Sequence, residues 1–139
     1  MVHAGAGHRG DHQVGLVLGD EGLLVRAEGD GDRAGPRAAQ VLETHDLAVS
    51  PVVELELAFL NEVGRVTDQP AMILSALSSS IGVTVAQIGF APLCATAVGL
   101  AWTRDPFDRL LAAHSIAAGL PLLTKDRSLL ENLDLAFWD

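Results

Sequence analysis

The stretch that decides the fold is DPFDRLLAAHSIAAGLPLLTKD, residues 105–126. Asp105-Pro106 opens it as a helix start. The acid can accept from free first-turn backbone N–H groups, and the proline's missing N–H costs nothing there. Thirteen residues on stands Gly119, the residue type that most readily ends a helix in the left-handed conformation. LPLLT, residues 120–124, follows at once and is apolar except at its end, as suits a strand covered on both faces. Asp126 then leads into DRSLLENL, a short helix. A helix that feeds an apolar strand and then another helix predicts an α/β fold with a mostly parallel sheet.

The same unit recurs upstream. LAVS, residues 47–50, reads as a strand, and Ser50-Pro51 starts a helix over 51–66, PVVELELAFLNEVGRV, whose apolar residues Val52, Val53, Leu55, Ala58, Phe59 and Leu60 suit a buried face. Asp68-Gln69-Pro70 opens the helix AMILSALSSS, with Asp68 as the expected N-cap and Gly82 near its end. VTVAQI (83–88) reads as a strand, PLCATAVGLAW as a helix and LAFW (135–138) as a last strand. Toward the N-terminus VGLVL (14–18) reads as a first strand and RAAQVLETHD, after Pro36, as a short helix. Residues 1–34 are otherwise glycine-broken: nine of the 14 glycines and six of the 18 acids fall before residue 37. The expectation is one α/β domain over residues 1–139 with an atypical front.

Composition bounds the function. The chain has 139 residues, 18 acids against nine Lys and Arg, and a net charge of −9. At 49% apolar it is too hydrophobic for an acidic disordered protein. The acidity speaks against a broad basic face gripping nucleic acid. The single cysteine, Cys94, reads as a core residue; it excludes an internal disulfide framework and suits a reducing compartment. No apolar run approaches the ~20 residues that span a bilayer, and no signal-peptide pattern opens the chain. A soluble, cytoplasmic protein is expected.

The acids are placed where a parallel sheet gathers function, beyond the carboxyl ends of its strands. Asp20 closes the expected first strand, Glu54 and Glu56 lie on the helix after LAVS, Asp105 and Asp108 open the long helix, and Asp126 follows LPLLT. Clustered carboxylates repel one another, and a hard divalent cation such as Mg²⁺ or Mn²⁺ relieves the repulsion. Such an ion can also activate water against a phosphodiester. Simpler roles exist for each residue. Asp105 and Asp126 suit N-caps, and Asp108 suits the positive end of a helix dipole. Glu54 and Glu56, two residues apart, cannot share one helix face. His114 reads as packed or exposed, and the five histidines lack the spacing of zinc ligands.

With these residues in view, residues 35–139 resemble a PIN domain, in particular the VapC toxins of type II toxin–antitoxin systems. AVSPVVELELAFL resembles the family's strand-serine-helix segment, and DPFDRLLAAHSIAAGLPLLTKD its most specific stretch; Thr124 and Asp126 match its closing T-x-D, and LAFWD its last strand. The resemblance implies a three-layer α/β/α sandwich and a Mg²⁺- or Mn²⁺-dependent ribonuclease. It also implies a VapB-type antitoxin, an RNA substrate and a homodimer. It assigns Glu56, Asp108 and Asp126 as metal ligands, with Asp105 beside them. Ser50 and Thr124 would orient ligands or water, and Arg104 and Arg109 would contact RNA. The family's first ligand, an Asp ending the first strand, maps to Asp20, where the following Glu21-Gly22 departs from the family pattern. A disrupted reading frame ahead of Gly35 would account for that departure. Two other readings follow from the same residues: a PIN-domain protein without the first ligand that keeps antitoxin binding, and a receiver-like signalling domain with Asp20-Glu21 as its acidic pair.

Overall fold

The computed structural model describes residues 46–139, together with Pro36, Arg37, Ala39, Gln40 and the strand Gln13–Leu16. In chain order the elements are β1 (Gln13–Leu16), β2 (Asp46–Val49), α1 (Pro51–Glu62), α2 (Pro70–Ile81), β3 (Thr84–Val85), α3 (Phe90–Val98), α4 (Pro106–Ala118), β4 (Leu122–Leu123), α5 (Arg127–Asn132) and β5 (Ala136–Phe137). The strands form one sheet in the order β3-β2-β1-β4-β5. Every pairing is parallel, as the apolar strand composition requires. Gly15 of the central strand is in register with Ala48 on one side and Leu122 on the other. The chain builds outward from β1 through β2 to β3, then crosses to the other side for β4 and β5. The strand order therefore reverses between β1 and β4, and the crevice at their carboxyl ends is where such sheets bind ligands.

The core lies where the sequence pattern places it except on α1, where Leu55 and Phe59, expected on the buried face, are exposed and Leu57 is buried instead. Leu47 and Val49 of β2, Val53 and Leu57 of α1, Leu111, Ala112 and Ala113 of α4, Leu122 and Leu123 of β4, and Leu129 of α5 are all buried. All four residues of β2 are buried, including Asp46 at its start. Arg37 stacks over Phe137, 4.2 Å from the ring centroid.

Helix ends follow local chemistry. α1 stops at Glu62, four residues short of the expected end. Gly64 takes φ 81°, its N–H returns to Asn61 O, and Arg65 N–H returns to Leu60 O. That pair of bonds is a Schellman closure. Asn61 Nδ2 then donates to the carbonyls of Val66, Thr67 and Asp68, which folds the following loop back on the helix. Asp68 is not the N-cap of α2. Gln69 holds that position without a side-chain bond, because Pro70 at the first helical position fixes the residue before it as the cap. Cys94 is half-buried rather than a core residue. β3, β4 and β5 are shorter than the apolar runs that encode them. Pro121 has no N–H for the ladder, so β4 begins at Leu122.

α4 ends on a second Schellman closure, with Gly119 at φ 67°, its N–H on Ile116 O and Leu120 N–H on Ser115 O. A Cβ at Gly119 meets nothing within 4 Å, so the cost of adding one is purely conformational. Gly119→Ala is expected to lose about 1 kcal/mol of stability. A melting experiment checks this, with a Tm several degrees lower for a domain of this size.

Candidate active site

Ser50 follows β2 and caps α1. Its Oγ accepts from Val52 N–H at 3.3 Å and lies 2.7 Å from His114 Nδ1 of α4. Both side chains are buried. The buried hydroxyl has one proton to place, and among the described residues His114 Nδ1 is the acceptor it meets, so the consistent arrangement has Ser50 donating to a neutral imidazole. Burial lowers the His114 pKa, which favours the same neutral form. A small cavity of about 10 Å³ adjoins the pair and is otherwise lined mainly by Ala48, Ala86, Leu111 and Leu122.

A second contact, Phe59 against Phe107 at 5.9 Å between centroids, joins the same two helices. Going up α1 from Ser50 to Phe59 means going back along α4 from His114 to Phe107, so the helices run antiparallel. Glu56 and Asp108 each lie six residues from the Ser50–His114 bond, about 9 Å along their helices. The two acids are therefore level with each other. Glu56 is half-buried and Glu54 exposed, as a two-residue helical spacing requires. Asp108 is half-buried in the first turn of α4.

The remaining candidates are built into helix starts. Asp105 Oδ1 accepts from Phe107 N–H at 2.9 Å and Asp108 N–H at 3.4 Å. Asp126 Oδ1 accepts from Leu129 N–H at 2.9 Å, while Asp126 N–H donates to Thr124 Oγ1 at 3.0 Å. Thr124 is fully buried at the end of β4. Among the described residues Asp126 Oδ2 carries no hydrogen bond. Arg104 is exposed. Arg109 Nη2 donates to Ala97 O and Val98 O, 3.1 Å each, and so closes the carbonyl end of α3. Asp20 lies outside the described residues.

These are hard carboxylate donors of the kind Mg²⁺ and Mn²⁺ take. Among the described residues, however, no three His, Cys, Asp or Glu side chains group closely enough to hold a metal ion. Nor, among them, is any helix long and apolar enough to cross a membrane.

No family model matches the chain. It is 35% identical over 117 residues to Ribonuclease VapC22 of Mycobacterium tuberculosis (strain ATCC 25618 / H37Rv), covering 81% of this chain and 88% of that protein. The chain belongs to the VapC family of PIN-domain toxins. Two features of this VapC chain were not legible beforehand. The Ser50–His114 bond joins residues 64 apart in sequence. The capture of Arg109 by α3 depends on how α3 and α4 pack. Nothing in the order of residues announces either.

Proposed function

We propose that the chain is the toxin of a type II toxin–antitoxin system, a divalent-metal-dependent endoribonuclease cleaving RNA phosphodiester bonds. The observation that carries this reading is its similarity to a VapC ribonuclease over most of both chains. Under this reading the sheet and helices pack as the three-layer α/β/α sandwich of PIN domains. The protein is cytoplasmic, pairs with itself and is held by a VapB-type antitoxin.

Glu56, Asp108 and Asp126, with Asp20 as the fourth, would hold Mg²⁺ or Mn²⁺. When bound, such an ion activates a water and offsets charge growing on the phosphate. The chain's own residues do the rest. Asp126 commits Oδ1 to α5, which fixes its carboxylate and directs Oδ2 as the available donor. Thr124 holds the Asp126 backbone, and Ser50 holds the start of the helix that carries Glu56. Asp105 fixes the start of α4 and with it Asp108. Arg104 is an exposed cation beside this edge. Arg109, anchored to α3 through Nη2, would meet RNA with Nη1 and Nε.

The test is cleavage of single-stranded RNA by the purified chain with Mg²⁺ or Mn²⁺ and with EDTA. Metal-dependent cleavage is expected, and cleavage undiminished by EDTA rejects the mechanism. A second reading is a catalytically impaired toxin that keeps antitoxin binding, because Glu21-Gly22 after Asp20 departs from the family's first-ligand pattern. A folded chain that binds a VapB antitoxin, cuts no RNA and takes up no Mn²⁺ would support it.

A further inference from the structure

Arg127 opens α5 directly after Asp126, and Arg104 directly precedes Asp105, the cap of α4. From Asp105 to the reversal at Gly119 α4 covers about 20 Å, and the extended chain from Gly119 back to Asp126 covers about the same length. On the return, Leu120 and Leu122 line one cavity with Leu111, His114 and Ser115 of α4. The two limbs therefore run antiparallel and side by side, and Asp105 and Asp126 come back to one edge, the carboxyl edge of the sheet. Each acid has an arginine next to it there. Both arginines are exposed, and among the described residues neither side chain makes a hydrogen bond, ion pair or ring contact. The other described cations differ. Arg37 stacks on Phe137, Arg109 is half-buried and gives Nη2 to α3, and Lys125 is half-buried near the Trp138 ring. Arg65 and Lys125 each carry a further interaction.

We propose that Arg127 is an RNA-phosphate contact, set on the same carboxylate edge as Arg104. This rests on the ribonuclease reading. An acidic chain holds a polyanion through a few placed cations, and an exposed guanidinium without an internal partner gives up nothing in the protein when it meets a phosphate. Its planar fork matches two phosphate oxygens at once. Local structure gives Arg127 no other work. It holds the first position of α5, the positive end of the helix, where a cation is mildly unfavourable. Glu131, four residues on, makes no ion pair with it; an arginine ahead of a glutamate is the weaker order for such a pair. Arg127 is one residue from Asp126, so a phosphate it holds lies next to the carboxylates. A phosphate contact reads charge rather than bases, so Arg127 adds affinity without choosing a sequence.

The test measures binding of a fluorescein-labelled single-stranded RNA to the full chain over a range of salt in EDTA, where cleavage is suppressed, alongside cleavage kinetics with metal. Arg127→Gln is expected to flatten the dependence of log affinity on log salt by about 0.7, the share of one phosphate on a single strand. Arg127→Lys keeps the charge and should keep the native slope. In cleavage Arg127→Gln should raise KM with little change in kcat. Its Tm should hold or rise slightly, because a cation leaves a helix start. Asp134 separates a contact from a net-charge effect. It is exposed and precedes β5, at the opposite edge of the sheet. Arg127→Gln combined with Asp134→Asn restores the native net charge, and a local contact leaves that slope as flat as in Arg127→Gln alone. A native slope in Arg127→Gln, its recovery in the double variant, or equal flattening in Arg127→Lys overturns the proposal. RNA cleavage by the native chain tests the ribonuclease reading separately. Cleavage with a native-like Arg127→Gln rejects only the contact, and a native chain that neither binds nor cuts RNA rejects both.

Discussion

Asp126→Asn is expected to abolish RNA cleavage while leaving the fold intact. The side chain has two separable jobs. Its Oδ1 accepts from Leu129 N–H and caps α5. Its charge is the part a cation site needs. Asparagine caps a helix about as well as aspartate, so the substitution keeps the first job and removes the second. Loss of groups that merely orient a metal's ligands costs about 10- to 100-fold, and loss of a ligand should exceed that. The expected result is a kcat/KM lowered by more than about a hundredfold with Tm unchanged within a degree or two. Asp126→Ala loses the cap as well and should cost about 1 kcal/mol more in stability. Asp126→Asn that still cleaves within about threefold of the native chain would reduce Asp126 to a cap. Asp108→Asn should lose activity in the same way. It lies in the first turn of α4, where its charge also contributes about 0.3–1 kcal/mol through the helix dipole.

The parts of the fold legible in the sequence are those set by local chemistry. Asp105-Pro106 and Gly119 bound α4 because capping and left-handed closure act within a few residues. The apolar runs LAVS and LPLLT are strands because a parallel sheet covers both faces. Where the reading failed, a neighbour in the chain outweighed the residue in question. Pro70 displaced Asp68 from the cap, and Gly64 ended α1 early. The order of strands around β1 follows from the packing of all the elements together, not from any one segment.

The candidate site divides in the same way. Ser50, Asp105 and Asp126 were recognisable as helix starts, and their capping bonds are present. The level placement of Glu56 and Asp108 needed two tertiary contacts, Ser50–His114 and Phe59–Phe107.

His114 should make the stability of this protein depend on pH in a way that substitution removes. Its imidazole is buried, accepts the Ser50 hydroxyl, and has a lowered pKa because burial disfavours the charged form. In the unfolded chain it titrates near 6.5. Between that value and the lower folded one the unfolded state binds more protons, so stability rises with pH there. The contribution is fully present above about pH 6.5, is lost as pH falls toward the folded pKa, and is level below it. The slope within the window is at most about 1.4 kcal/mol per pH unit for one proton. His114→Leu should destabilise at pH 7.5 by about 1–3 kcal/mol, because the Ser50 hydroxyl loses its acceptor in apolar surroundings. His114→Gln offers a carbonyl oxygen to the same hydroxyl and should recover most of that loss. Having no group to protonate, it should also lack this part of the pH slope. Urea unfolding of the three chains from pH 7.5 to 5 measures all of this. The native chain should lose its advantage over His114→Gln as pH falls. A constant difference across the range would mean that the imidazole gains and releases its proton equally in both states, and that the Ser50 bond does not depend on a neutral His114.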